Sequence, residues 1–170
     1  MLSFLFRRLT GEGASGAALF DALTDEARQP HWFVEGKVAD TLDGRFAVVA
    51  TLVGLTLARL ERDGESANRI TIALTERFVA VMESEHRELG LGDPTLGKTV
   101  LRLVGSLARR TDLWRSAIAG DREWLEATGE SLYKDSPVAD ALRHSGEALK
   151  RLWTRIEQAS PERLAQGQLQ

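Results

Sequence analysis

The sequence predicts an all-α protein: a single compact helical domain of about six or seven helices around a central buried helix. Apolar residues recur at three- and four-residue spacing along most of the chain, and no segment combines strand-like alternation with hairpin residues. Three of the four prolines directly follow a residue that can cap a helix, at positions 93–94, 136–137 and 160–161. A chain of 170 residues has the length of one domain.

The N-terminal residues 1–16 are expected to form an apolar and basic arm with a glycine-rich hinge. Residues 2–6 are mostly apolar, Arg7 and Arg8 follow them, and three glycines fall between residues 11 and 16. A secretory signal would place its basic residues before a longer apolar stretch. Two interpretations of the arm remain open: it packs on the domain, or it lies on a membrane surface as a short helix.

The helical domain is expected to cover residues 17–159. A first helix should run from about Ser15 and end before Pro30, which disfavours helical geometry in the residue that precedes it. Residues 43–60 are apolar nearly all round, which is typical of a central helix that others pack against. The most apolar part of that stretch, residues 46–60, would be only about 22 Å long, whereas a bilayer core is about 30 Å thick.

Further helices follow at residues 66–89, after Pro94, at residues 121–132 and after Pro137. Residues 160–170 are expected to form a short C-terminal tail. The glycines of residues 89–92 predict a helix stop just before the start at Asp93 and Pro94.

The composition excludes several classes of function. The net charge of −3 argues against a dedicated nucleic-acid binder, and we expect no DNA partner. The absence of cysteine excludes disulfides, thiolate zinc sites and cysteine nucleophiles. It also fits a reducing compartment. We expect a cytoplasmic protein. Because the serines also lack the Gly-x-Ser-x-Gly pattern of a hydrolase and no catalytic constellation is found, we expect neither enzymatic activity nor a cofactor.

Residues 92–99 (GDPTLGKT) match the phosphate-loop pattern letter for letter. The motif requires a buried strand before it, but residues 78–89 are charged and helically periodic. Pro94 would also remove one of the N–H donors that such a loop uses to bind phosphate. We therefore interpret these residues as the end of one helix and the start of the next, and a nucleotide-binding protein is an unlikely alternative.

No metal site is expected. Glu83 and His86 have the spacing of a di-iron helix, but such a site needs a second pair and two further glutamates. His31 and His144 have no carboxylate at that spacing.

The helix after Pro94 has a basic stripe. Lys98, Arg102, Gly105 and Arg109 fall on one side of a helical projection. The opposite side carries the apolar residues Val100, Leu101, Leu103, Val104 and Leu107. The stripe is either an ordinary exposed face or a docking surface for an acidic protein, ribosomal RNA or anionic lipid head groups.

Two blocks of sequence resemble the ubiquinol–cytochrome c chaperone family, specifically its bacterial branch. The first is residues 27–30 (ARQP), Phe33 and residues 40–46 (DTLDGRF). The second is residues 78–82 (FVAVM), residues 87–93 (RELGLGD) and residues 97–98 (GK). The resemblance runs from about Leu19 to at least Leu107.

This resemblance implies a non-enzymatic assembly factor for respiratory complex III that binds cytochrome b. It also implies a place on the cytoplasmic face of the inner membrane, with the ribosome exit region or a small partner subunit as further partners. The partner-binding residues that we carry over are Asp40, Asp43, Arg45, Met82, Arg87, Glu88, Asp93, Lys98 and Arg102.

Some of these residues also have a structural interpretation. Asp40 or Thr41 can cap the central helix, and Gly44 would allow another backbone to approach closely. Arg45 and Arg87 can pair with Asp93 or another carboxylate, which would fix the loop at residues 90–94. Such pairs would be either wholly structural or part of the grip on cytochrome b. We hypothesise that residues 40–46 and 90–98 lie on one face and form the client surface.

Overall fold

The computed structural model describes residues 16–88 and 93–170, which form eight α-helices and no strand. The helices are α1 (16–27), α2 (His31–Val34), α3 (Leu42–Glu61), α4 (Asn68–Glu88), α5 (Asp93–Ala119), α6 (Trp124–Leu132), α7 (Ala139–Gln158) and α8 (Pro161–Ala165), with a 3₁₀ turn at Gly64–Ala67. The all-α prediction is confirmed. The count exceeds six or seven because α2 and α8 are about one turn long, too short to show a helical period.

Helix α3 is the central helix that the sequence predicts. Residues 50–60 are all buried, so even Thr51, Thr56 and Arg59 lie away from solvent. The helix packs against α4, α5, α6 and α7, and its contact with α5 is the most extensive. A helix that is apolar on every side can be stable only in such a position.

Helices α3 and α5 run in the same direction, and α4 connects them in the chain. Gly54 lies against Arg110, because a Cβ added to Gly54 would be 3.0 Å from the Cβ of Arg110. One to two turns further along both helices, Arg115 donates to the Glu61 carboxylate from Nε at 2.9 Å. The starts of α3 and α5 therefore lie at the same end of the molecule.

The start of α3 is fixed by two local features. Thr41 is its N-cap, and the Thr41 hydroxyl accepts a hydrogen bond from the backbone N–H of Gly44 at 3.2 Å. A Cβ on Gly44 would fall 1.9 Å from the carbonyl oxygen of Ala39, so only glycine fits there. Thr41, one of the two predicted caps, is thus the residue that caps the helix, whereas Asp40 pairs with Arg45.

The predicted start of α7 is wrong by two residues. Ser136 and Pro137 do not open the helix, which begins at Ala139 after Val138 in an extended conformation. Tyr133 and Val138, at the two ends of the connection between α6 and α7, have extended backbone angles, and the Tyr133 hydroxyl bonds to Ser145 within α7, 2.8 Å away. Ser160, by contrast, caps α8 by accepting from the N–H of Arg163.

The segment that the sequence analysis treats as a tail packs on the domain. Leu164 in α8 and Leu169 are both buried in the core. Gly167 has a φ of 76°, and a Cβ there would be 2.7 Å from the carbonyl oxygen of Ala18 in α1. Residues 160–170 therefore lie against α1.

Some predictions fall outside the described residues: the N-terminal arm over residues 1–15 and the helix stop at residues 89–92. Among the described helices, none is both long enough and apolar enough to cross a membrane.

Candidate partner-binding site

Two grooves flank the first turns of α3. The basic groove lies between the start of α3, residues 102–110 of α5 and residues 130–138, and encloses about 1120 Å³. The acidic groove lies between α1, α2, α3 and α4, and encloses about 1220 Å³. Leu42 and Phe46 line both grooves, so the start of α3 forms the ridge between them.

The basic groove combines apolar walls with an excess of positive charge. Phe46, Leu103 and Leu132 contribute apolar surface to it, and Leu42 and Val138 remain 47% and 67% exposed. The charged residues that line it are Lys37, Arg102, Arg109, Arg110 and Lys134 against Asp43, Glu130 and Asp135. Basic side chains outnumber acidic ones in a protein that is acidic as a whole.

Arg110 is the unusual residue of the basic groove, because it is buried and has no carboxylate partner in the part of the chain that the structure describes. The residue is only 7% exposed. Its Nε donates to the carbonyl oxygen of Ser131 at 3.1 Å, and its Nη1 donates to the carbonyl oxygen of Ser106 at 3.2 Å and to the Ser106 hydroxyl. Burial, followed by repulsion from Arg109, lowers the pKa of Arg110 to about 10.

Arg109 and Arg110 both bind the C-terminal end of α6. The Nη2 of Arg109 donates to the carbonyl oxygen of Glu130 at 3.1 Å, beside the Arg110 bond to Ser131. The last carbonyls of a helix lack helical partners and carry partial negative charge, which attracts cations. Neither arginine forms an ion pair with any described residue.

Arg59 provides a contrast on the other side of the molecule. It is 8% exposed and binds the end of α7, with Nε and Nη2 each 3.1 Å from the carbonyl oxygens of Ile156 and Ala159. Its Nη1 also pairs with the Asp63 carboxylate at 2.6 Å. The two buried arginines therefore play the same capping role, but only Arg59 has a negatively charged partner.

The acidic groove has an apolar wall that includes Phe20, Phe33 and Met82. Its charged lining residues are Asp21, Asp25, Asp40, Glu85 and Glu88 against Arg28, Arg45 and Arg77. The hydrogen bond from Arg45 Nε to Asp40, 2.7 Å long, lowers the pKa of that carboxyl. Both of these side chains are more than half exposed, so the pair contributes little to stability.

The structure divides the predicted partner-binding residues between the grooves. Asp43 and Arg102 line the basic groove, whereas Asp40, Arg45, Met82 and Glu88 line the acidic groove. Two of the predicted residues, Arg87 and Lys98, line neither groove. Asp93 is the first residue of α5, and its side chain is outside the described part of the structure.

The pairing with Asp93 that was expected to fix the loop at residues 90–94 falls outside the described side chains. Arg45 pairs with Asp40, and Arg87 donates to Glu83 at 2.6 Å, one turn back in α4. Each arginine thus found another carboxylate, as the sequence analysis allowed, but both partners are close in sequence.

The predicted apolar side of α5 is only partly correct. Leu103 and Leu107 are buried, but Leu101 is 74% exposed and Val104 is exposed as well. Arg110, which directly follows the last residue of the predicted basic stripe, lies on the buried side. The spacing of Leu103, Leu107, Arg110 and Trp114 is the signal that could have revealed it, because these four positions share one helical face.

The comparisons with known proteins place the chain in a family. A family model described as "Ubiquinol-cytochrome C chaperone" matches residues 34–169. The chain belongs to the ubiquinol–cytochrome c chaperone family. Its fold is similar to the crystal structure of the Cbp3 homolog from Brucella abortus, with a TM-score of 0.75 and 22% identity, over 98% of this chain and 94% of that one. The comparison with curated proteins found no significant match.

The ubiquinol–cytochrome c chaperone match covers the two grooves unequally. Every residue that lines the basic groove falls between positions 37 and 138, within the matched segment. The acidic groove is also lined by residues between positions 20 and 33, which lie before the start of the matched segment. Family membership gives the chain a role as a chaperone in complex III assembly.

The phosphate-loop match has the wrong structural context in this member of the chaperone family. The element before it is the helix α4, where the motif needs a strand, and Thr99 is buried within α5. No group of three or more potential metal ligands occurs within residues 16–88 and 93–170. Glu83 accepts a hydrogen bond from Arg87 instead.

The structure brings together one pair of histidines that sequence reasoning missed. The Nδ1 of His31 and the Nε2 of His144 are 3.1 Å apart, although the residues are 113 positions apart in the chain. Burial and then the neighbouring His144 lower the pKa of His31, while Glu26 acts in the opposite direction. No local pattern predicts such a contact.

Proposed function

We propose that this protein is a non-enzymatic chaperone that binds cytochrome b and promotes the assembly of ubiquinol–cytochrome c reductase, complex III. The observation that carries the proposal is the family match over residues 34–169. It agrees with the sequence blocks at residues 27–46 and 78–98, whose resemblance implies the same family. A chaperone of this kind must hold a membrane protein before its partners are present.

The surface around the start of α3 supports this role. A transmembrane client exposes apolar segments before assembly, so the chaperone needs apolar surface that is accessible from solvent. Val34, Leu42 and Val138 are large apolar residues that are exposed along the two grooves. Charged side chains border the grooves and would limit association between copies of the chaperone.

We place the protein at the cytoplasmic face of the inner membrane, where a cytochrome b chaperone would meet its client. The apolar and basic N-terminal arm is suited to peripheral contact with that membrane. A small partner subunit and the ribosome exit region are further proposed partners, as the family resemblance implies.

The experiment that tests this function is a pull-down of tagged protein from detergent-solubilised membranes of its native host, followed by mass spectrometry. We expect cytochrome b to be enriched above other abundant membrane proteins. A mock purification with the tag alone gives the background. Recovery of nucleic acid or soluble proteins without cytochrome b would contradict the proposal.

A second experiment examines the client surface at the start of α3 and α5. Arg45→Glu and Lys98→Glu reverse exposed charges, and neither residue contributes to the core. We expect both variants to fold and to capture less cytochrome b. Unchanged capture by both would contradict the surface that residues 40–46 and 90–98 are proposed to form.

A further inference from the structure

We infer that the basic groove binds an amphipathic segment of polypeptide that presents a carboxylate to Arg109 and Arg110. Identifying that segment as part of the client rests on the proposed function, whereas the chemistry of the groove stands on its own geometry. Nothing in the family description assigns this groove a ligand.

Arg110 has no counter-charge among the described residues. The guanidinium of a residue as buried as Arg110, which is 7% exposed, normally requires a carboxylate, because burial of an unpaired charge is costly. Arg59 meets this requirement with Asp63, but the acceptors of Arg110 among the described residues are neutral oxygens, and the neighbouring Arg109 adds a second positive charge. The groove therefore lacks one negative charge that a ligand can supply.

The fold has little need of the Arg110 side chain. The Ser131 carbonyl oxygen also accepts from the Thr51 hydroxyl, at 3.2 Å. The Ser106 carbonyl lies inside α5, where the backbone N–H of Arg110 is its helical partner. Both acceptors would keep a hydrogen bond without the guanidinium, so capping alone does not account for a buried cation here.

The basic groove places apolar surface next to positive charge. Phe46 and Leu103 line it, and the exposed side chains of Leu42 and Val138 border it. The guanidinium carbon of Arg110 is 5.8 Å from the centre of the Phe46 ring, so charge and apolar surface are adjacent. An amphipathic helix offers the same combination, with leucine-like side chains beside an acidic one.

The arrangement favours a polypeptide over a polyanion. Asp43, Glu130 and Asp135 also line the groove and would repel a row of phosphates. Lys134 is already paired with Asp43 at 2.6 Å. Each further phosphate of RNA or of an anionic bilayer would face these carboxylates, whereas a segment with one or two carboxylates needs only Arg109 and Arg110 as partners.

The test uses labelled amphipathic helical peptides of about 18 residues, or five turns, with a leucine face and two glutamates one turn apart. A matched peptide carries glutamine in place of both glutamates. Fluorescence anisotropy measures the Kd of each peptide for the full-length protein and its variants. We expect the glutamate peptide to bind wild type at least about tenfold more tightly than the glutamine peptide. Removal of one partner from a desolvated charge pair generally weakens binding by more than that factor.

The variants are Arg110→Met and Arg109→Glu, with Arg151→Glu as the control. Arg109 is exposed, so its variant folds independently of the buried site. Arg151 is exposed on α7, against Glu26 and His31 and away from both grooves. We expect the two groove variants to lose the preference for glutamate and the control to keep it. Equal binding of the two peptides by wild type, or a preference that survives in both groove variants, would overturn the inference.

The same variants separate this inference from the proposed function. If wild type captures cytochrome b and Arg109→Glu captures it equally well, the inference fails for the client while the function stands. If wild type captures no cytochrome b, the function fails, and the peptide titration still judges the groove. Tighter binding of RNA or of phosphatidylglycerol vesicles than of the glutamate peptide, lost in Arg109→Glu, would also overturn the inference.

Discussion

The two buried arginines should respond very differently to the same substitution. Methionine has an unbranched side chain that can fill the space of the arginine stem, but it has no charge and no donor. Arg59→Met would leave the carbonyls of Ile156 and Ala159 without the donor that Arg59 provides, and would remove the partner of Asp63. We expect this variant to lose about 3–5 kcal/mol of unfolding free energy.

Arg110→Met should cost about 1 kcal/mol or less. The lowered pKa of Arg110, about 10, corresponds to about 3 kcal/mol of penalty for burying the charged form. Its hydrogen bonds to Ser131 and Ser106 return a similar amount, at about 1.5–3 kcal/mol for each charged donor. Methionine removes both the penalty for the buried charge and the hydrogen bonds that offset it. The Ser131 carbonyl keeps its bond from Thr51, and the Ser106 carbonyl keeps its bond from the α5 backbone.

Urea denaturation followed by tryptophan fluorescence and far-UV circular dichroism measures both free energies. The two sites are almost equally buried, so the comparison isolates the partners of the guanidinium. An Arg110→Met variant that loses as much stability as Arg59→Met would refute the reasoning. It would mean that the neutral acceptors at the end of α6 stabilise the buried charge as well as a carboxylate does.

Three further predictions concern local structure and pH. Gly44→Ala should lower the unfolding free energy by more than about 2 kcal/mol, because its Cβ would fall 1.9 Å from the Ala39 carbonyl oxygen. Gly105→Ala, whose Cβ meets nothing within 4 Å, should raise the unfolding free energy by about 0.5–1 kcal/mol in the same denaturation assay. Equal changes in unfolding free energy for the two glycine variants would contradict the close packing at Gly44. Thr41→Ala should lose about 1 kcal/mol with the N-cap of α3, and an unchanged midpoint would show that the cap is dispensable. The pKa of His31 is below 6.5 in the folded protein, so the unfolded chain binds the proton more readily and stability should fall as the pH drops through about 6.5. His31→Gln should lose less thermal stability than wild type between about pH 7.5 and about pH 5, and parallel pH profiles would contradict this.

Much of the fold could be predicted because helical periodicity is a local property. The all-round apolar character of residues 43–60 identified the central helix, and the predicted cap was Asp40 or Thr41, of which Thr41 caps the helix. The start of α7 was predicted wrongly because Ser136 and Pro137 stay outside the helix, in a connection whose Tyr133 contacts Ser145, and such a tertiary contact leaves no local pattern.

The candidate site could be predicted only in part. The family resemblance directed attention to residues 40–46, which form the ridge between the two grooves. It did not reveal Arg110, because an arginine in a helix is normally exposed and its acceptors belong to other turns and another helix. Separation into a basic and an acidic groove depends on which helices face each other, and periodicity carries no such information.

The sequence by itself determined the helical class, the central position of α3 and membership of a family, since each depends on residues close together in the chain. The tertiary structure alone decided which charges are buried and what they meet. Arg59 reaches the end of α7 across 97 residues, and His31 reaches His144 across 113. Such contacts depend on the global packing of helices, because burial gives a charge its energetic consequence only once distant segments have excluded water around it.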